Sequence, residues 1–434
     1  MSEITLSYGR NGLRVRLDDA WQVEIVRKPA MPVLADPVAA LEASLDAPVA
    51  APPVAQLAAR AQRVCIAICD ITRPVPNGVI LPVLVRRLLA AGVRPEAITV
   101  LIATGLHRPN EGAELEAVVG DAWVLRTVRV ANHFAARDAE HVTLGQTTRG
   151  TPVRLDRRLV EADLRIVVGL VEPHFMAGYS GGRKLLAPGC AHADTITRLH
   201  HASLLEHPAA DNAVLDGNPV HAELLQIARM TGTVYAVNVV LDEQRRLAAA
   251  NFGALEPSHA AAVACMRRYA ERAIPRAYDV VLTSSAGYPL DLTYYQTVKG
   301  MVGALGALRP GGRLFIVSEC AEGLGSAAFR NAQRRLVRAG PEVFLSYLHS
   351  RAQAPVDAWQ TEMLLKALRR GTVQLFSGGL PEADWADTAV QRVRDLDAEL
   401  AAAVAASGDH ALAVIPEGPY VIPRSLSDLA PGWV

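Results

Sequence analysis

The chain has 434 residues, with 44 basic and 44 acidic side chains, a formal net charge of zero and half of its residues apolar. That length exceeds what one hydrophobic core usually serves, so two domains are expected, and the charge balance gives no electrostatic case for nucleic acid or an anionic membrane as partner. No apolar run reaches the ~18 residues of a transmembrane helix, the first residues lack the basic flank and apolar core of a signal peptide, and the five scattered cysteines (Cys65, Cys69, Cys190, Cys265 and Cys320) argue against a disulfide framework and for a reducing cytoplasm.

Residues 3–27 alternate apolar and polar side chains and read as a small antiparallel β unit. Asp36-Pro37, followed by Val38, Leu41 and Leu45, has the form of a capped helix. From Arg63 an α/β rhythm sets in. Residues 63–69 (RVCIAIC) form an apolar strand, on which Cys65 and Cys69 share one face as core residues rather than as a metal pair. Residues 77–91 carry a helix pattern ended by Gly92, and 98–103 the next strand. Residues 111–119 read as helix, 125–130 as strand, 153–155 as a short strand and 164–171 (LRIVVGLV) as a buried strand. Residues 258–273 read as a connecting helix. A second block follows: a strand at 278–284, a helix within 291–308, a turn at 309–312, strands at 313–318, 373–376 and 411–415, and a helix at 392–406. Strands alternating with helices predict an α/β protein of two domains, 1–272 and 273–434, with mainly parallel sheets and a site in the cleft between the domains.

The polar residues fall at particular places. Asp70 and Arg73, His107 and Arg108, and His174 each come directly after an apolar strand, and open α/β sheets bind ligands at the carboxyl ends of their strands. The longest such stretch, EPHFMAGYSGGRK (172–184), delivers a histidine, a Gly/Ser turn and an Arg-Lys pair. It is not a Walker A loop, since GxxxxGK[ST] is absent. Lys184 can be a solvated cation, part of a Gly-rich anion cradle, or a lysine used covalently. His107 and His174, each unremarkable alone, together suit a reaction in which one takes a proton and the other gives it. His200 and His201 lie in an expected helix (TITRLHHASLLEH), where adjacent residues face different ways, so at most one joins a site. Tyr295 and Lys299, four apart, share a helix face that includes no more than a polar stripe on the plainer reading. Trp359 is either a pocket wall on a loop or a core residue.

Six motifs occur in order: DITRP (70–74), TGLHRP (104–109), EPHFMAGYSGGRK with a following PG (172–189), TITRLHH (195–201), GNPVH (217–221) and YYQTVKG (294–300). On these, spread over nearly the whole chain, the sequence resembles the nickel-dependent lactate racemase family of 2-hydroxy-acid racemases and epimerases. The resemblance implies a nickel pincer nucleotide, derived from nicotinic acid mononucleotide, bound through a thioamide to Lys184. It implies His200 as the protein ligand to nickel, with neighbouring His201 the alternative, and His107 and His174 as the acid/base pair. It implies a cofactor cradle of Asp70, Thr72, Arg73, Ser180, Gly181, Gly182, Pro188, Gln296 and Lys299, and a substrate pocket of Arg73, Tyr295, Lys299 and Trp359. The implied reaction is racemisation of a lactate-like 2-hydroxy acid by proton-coupled hydride transfer through a 2-keto acid, with cofactor-maturation proteins as partners. An epimerase of a larger sugar acid keeps the same catalytic set. A non-catalytic cofactor carrier has no use for two acid/base histidines, and a kinase-like phosphate binder lacks its motif.

Overall fold

The computed structural model describes residues 2–426. The chain forms two compact units, neither continuous in sequence: one holds 30–200 and 214–268, the other 2–29, 201–213 and 269–426. These limits differ from the single expected boundary at 272/273. The strand Gln22–Ile25 pairs in parallel with Ala411–Ile415, which ties the N-terminal residues to the later unit. Within that same unit Lys366 Nζ donates to the Ala210 carbonyl at 2.6 Å and Arg369 pairs with Glu206 at 2.7 Å, which fixes the 201–213 segment there.

The 30–200/214–268 unit is built on a six-stranded sheet. Its strands in chain order are Val64–Cys69, Ile98–Ala103, Arg129–Asn132, Leu164–Leu170, Tyr235–Leu241 and Leu247–Ala254. Across the sheet they run third, second, first, fourth, fifth, sixth, and all but the last pair in parallel. The central strands are apolar on both faces and buried on both, as crossover helices require. The order reverses direction between the first and fourth strands, and at that switch point the chain leaves both strands on the same edge of the sheet. Asp70 follows the first strand and Glu172 the fourth, so the expectation that separate strands aim chemistry at one edge matches the sheet.

The other unit carries a fully parallel six-stranded sheet in the order Gln391–Val393, Gly371–Phe376, Leu308–Val317, Tyr278–Ser284, Ala411–Ile415, Gln22–Ile25. Its core includes Leu282, Phe315, Leu400 and Val414. Among the described residues no helix is long and apolar enough to cross a membrane, and all five cysteines are free.

Several local expectations change. Only Ser2–Leu6 and Leu13–Leu17 form the antiparallel hairpin, while Gln22–Ile25 joins the large sheet. The strand expected at 125–130 begins only at Arg129, because Ala122–Thr127 is helical, its turn capped by the Asp121 side chain accepting from Val124 N at 2.8 Å. The expected turn at 309–312 is an irregularity inside the strand Leu308–Val317. Residues 391–393 are a strand, and Asp395 caps the helix Leu396–Ala406. The helix expected through TITRLHH stops at His200 and restarts after His201, whose side chain caps Ala202–Leu205.

Candidate active site

Asp70 is buried just past the end of the first strand. Its Oδ1 accepts from the Thr72 hydroxyl at 2.6 Å, and its Oδ2 lies 2.6 Å from His107 Nδ1. Burial alone would raise this carboxyl, but the hydrogen bonds from His107 and Thr72 and the nearby charges of His107 and Arg73 outweigh it and hold the group below the usual range. Because the carboxylate accepts, His107 Nδ1 is the protonated nitrogen and Nε2 carries the lone pair. The His107 side chain is 62% exposed, so that lone pair is open to an incoming molecule. Arg73 reaches across the switch point toward Glu172, 3.9 Å away. The backbone joins the same loops: Gly105 N donates to the Gly189 carbonyl at 2.9 Å, and a side chain at Gly105 would meet the Pro188 carbonyl at 3.5 Å.

The 172–189 stretch folds as a tight hairpin followed by a short 3-10 turn. Pro173–His174 pairs with Gly178–Tyr179. The Ser180 hydroxyl is spent on closing this hairpin, donating to the Leu170 carbonyl at 2.6 Å and accepting from Glu172 N at 3.0 Å. His174 Nδ1 faces the backbone N–H groups of Met176 and Ala177 at 3.2 and 3.3 Å. Both are donors, so Nδ1 is the acceptor and Nε2 the protonated nitrogen. The two histidines are therefore set in opposite tautomers, His107 with a basic Nε2 and His174 with an Nε2–H. Gly181 and Gly182 have φ of 75° and 48°, and a Cβ on them would stand 2.8 Å from Val171 and 2.9 Å from the His259 ring. Only glycine fits either place.

The adjacent cations of the turn part company. Arg183 is 1% exposed and bonds to the Ala177 carbonyl at 2.8 Å and to His259. Lys184 acts instead on His200, whose ring is lowered to about 4 by burial first, with Lys184 pushing in the same direction. The Nδ1 of His200 lies 2.8 Å from the Ile196 carbonyl, so it donates there and Nε2 is the nitrogen with a lone pair. His201 is different. Its Nε2 donates to the Arg351 carbonyl at 2.9 Å and its Nδ1 accepts from Ser203 N at 3.1 Å, so its one lone pair is used as a helix cap. Of the two neighbours, His200 is the one with the electronic form of a metal ligand. Among the described residues no group of three His, Cys, Asp or Glu side chains could hold a metal ion. A metal at His200 would therefore need donors beyond the described side chains.

In the other unit, Tyr295, Gln296 and Lys299 lie on the helix Tyr294–Gly303, capped by Thr293. The Tyr295 ring meets Phe329 edge-on at 5.1 Å, and the Gln296 Oε1 is buried without a hydrogen-bond partner. Trp359 is not on a loop. It sits in the first turn of the helix Ala358–Arg370, 8% exposed, so the core reading holds for most of its surface. Gln360 Nε2 donates to the Tyr295 carbonyl at 2.6 Å and locks the two helices together. Sequence reasoning missed His221, which ends the GNPVH motif, and His259, which line one cavity together with Arg183. It also missed the stack of His133, His141 and His192, with ring centres 5.1 and 4.9 Å apart. No spacing signal joins residues so far apart in the chain.

Residues 8–213 match the family model described as the lactate racemase N-terminal domain, and 274–422 the lactate racemase C-terminal domain. A lactate racemase from Thermoanaerobacterium thermosaccharolyticum is 30% identical over 430 residues, covering 98% of this chain and 100% of the relative. One from Lactiplantibacillus plantarum is 32% identical over 388 residues, 88% of this chain and 90% of the relative. The solved lactate racemase apoprotein of T. thermosaccharolyticum superposes with a TM-score of 0.90 at 28% identity, covering 98% of this chain and all of that one. A Thermotoga maritima protein at 17% identity, with a TM-score of 0.63 over 86% of this chain and 97% of its own, shares the fold.

Proposed function

This chain belongs to the lactate racemase family and is an isomerase, and on that premise we propose that it interconverts the two hands of lactate or a lactate-like 2-hydroxy acid. The observation that carries the reading is the pair of histidines at one sheet edge, set in opposite tautomers. His107 Nε2 takes the hydroxyl proton, and Asp70 stabilises the imidazolium that forms. Loss of that proton and of the C2 hydrogen as hydride leaves a planar 2-keto acid. Return of the hydride to the other face requires a proton on the oxygen from the opposite side, which His174 supplies from Nε2 as a doubly protonated imidazolium, becoming neutral. Charging His174 turns Nδ1 into a donor facing two N–H groups, but those contacts are long and cheap to break. A nickel pincer nucleotide, tethered at Lys184 and ligated by His200, supplies the hydride-accepting centre when bound. Gly181 and Gly182 give the close backbone approach such a nucleotide needs, and Arg73 is a group suited to a substrate carboxylate. Proteins that build the cofactor are then obligatory partners in the cytoplasm.

Chiral chromatography tests this reading directly. Protein co-expressed with the cofactor-maturation system is incubated with single enantiomers of lactate, larger aliphatic and aromatic 2-hydroxy acids, and sugar acids. Racemisation of lactate is expected, together with an adduct on Lys184 by intact mass that is lost in Lys184→Ala. Loaded protein that inverts only a sugar acid, or an adduct that survives Lys184→Ala, would overturn the assignment.

A further inference from the structure

Against the Gly182–Leu185 turn lies a cavity of about 310 Å³ that the reaction does not use. Arg183, His221 and His259 form its polar end, and Leu215, Leu225 and Leu255 its walls. Arg183 is an unusual group to find there. It is buried with no carboxylate paired to it among the described residues, and its Nε has no hydrogen-bond partner. Burial pulls the guanidinium down to about 9, which leaves it charged at neutral pH. Its neighbour cannot satisfy it. His259 Nε2 lies 2.8 Å from the Ser180 carbonyl and 3.0 Å from Arg183 Nη1. One nitrogen cannot donate to the carbonyl and accept from the guanidinium at once, so protonation toward Ser180 strands Nη1 as well as Nε. His221 Nδ1 is likewise buried and unpaired. The carboxylate lining the cavity, Glu256, is already held by Arg229 through two contacts of 2.8 Å.

A buried cation without an anion is a strong electrostatic demand, and a carboxylate meets it. The leucine walls decide between anions. Inorganic phosphate would press charged oxygens against apolar surface, whereas an organic acid turns its hydrocarbon toward it. We infer that this cavity binds a small organic carboxylate with a short apolar tail, the carboxylate on Arg183 and the tail among Leu215, Leu225 and Leu255. The occupant would be felt at Lys184. Arg183 precedes Lys184 in the same turn, and the His259 ring stands where a Cβ on Gly182 would be, 2.9 Å away. Shifting His259 therefore shifts the turn that carries the lysine.

The test uses the full chain without cofactor, so its outcome does not depend on the racemase reading. Isovalerate and inorganic phosphate are titrated calorimetrically into the wild type, Arg183→Met and Ala260→Trp. Ala260 lines the cavity on an exposed helix position, so the tryptophan fills the mouth without disturbing the core. Saturable isovalerate binding is expected, weakened more than about tenfold in both variants, with phosphate neither binding there nor competing. The acylation rate of Lys184 by an amine-reactive ester, followed by peptide mass spectrometry, should change on adding isovalerate to the wild type but not to Ala260→Trp. Absence of saturable binding to the wild type, unchanged affinity in Ala260→Trp, or phosphate binding as tightly as isovalerate and lost in Arg183→Met would each overturn the proposal. Should Arg183→Met fail to fold, Ala260→Trp alone decides the location.

Discussion

Exchanging the Asp70 carboxylate for an amide keeps an oxygen beside His107 Nδ1 but removes the charge that would stabilise an imidazolium. In Asp70→Asn the racemisation rate of loaded protein should fall on the order of 10²-fold with little change in metal content; an unaltered rate would remove Asp70 from the proton path. The same substitution has a signature in stability. The folded carboxyl is held below its ordinary value, so its contribution is fully present above the ordinary carboxylate range and is lost as pH falls through the folded value. Below about pH 4 the wild type should therefore lose stability more steeply than the amide variant, as read from urea midpoints. The two adjacent histidines give a second contrast. His200→Ala should abolish nickel uptake measured by elemental analysis, whereas His201→Ala should keep the metal and lose a helix cap and the bond to the Arg351 carbonyl, lowering stability by about 1–2 kcal/mol. In the sequence the resemblance favours His200 by position, but residue chemistry alone does not tell the two apart. Only the carbonyls of Ile196 and Arg351, which fix the tautomers, separate them, and neither carbonyl is visible in side-chain spacing.

At the scale of elements, the strands delivering Asp70, His107 and His174 are legible because apolar runs of six or seven residues bounded by Gly, Pro and Asp have few alternatives. The failures sit where one local contact overrides a pattern. Asp121 turns an apolar run into helix, and His201 cuts a helix in two. The loop alternative for Trp359 has the same origin, since the preceding Pro and Gln residues suggest a loop, yet the helix begins one residue earlier at Ala358. The Gly181–Gly182 turn is the element on which the site most depends. Gly182→Ala places a Cβ 2.9 Å from His259 at a φ of 48°, a conformation that costs roughly 1–2 kcal/mol for any other residue. The variant should melt earlier and carry less adduct on Lys184 by intact mass. Full adduct occupancy at wild-type stability would mean that the turn tolerates a side chain and that its glycines do not shape the cradle.

Several histidines of the molecule are held buried in their neutral form, a property the sequence does not hint at because burial belongs to the assembled unit. Burial lowers His200 and His221 to about 4 and His259 to about 3, and lowers His141 and His192 as well. The sign follows from proton counting. Below the ordinary histidine value of about 6.5 the unfolded chain takes up protons that the folded chain refuses, so acid favours unfolding until the folded rings also titrate. The loss grows by about 1.4 kcal/mol per pH unit for each such ring. Stability should therefore decline across the window from about pH 6.5 to about pH 4, well above the range where Asp70 and Asp156 are protonated. Replacing His259 by Phe removes one refused proton together with the bonds to Ser180 and Arg183. The variant should be less stable than the wild type at pH 7, yet its urea midpoint should fall less steeply between pH 6 and pH 4, by the equivalent of about one proton. A midpoint that falls in parallel with the wild type would exclude His259 as a source of acid lability and leave the remaining buried rings to account for it.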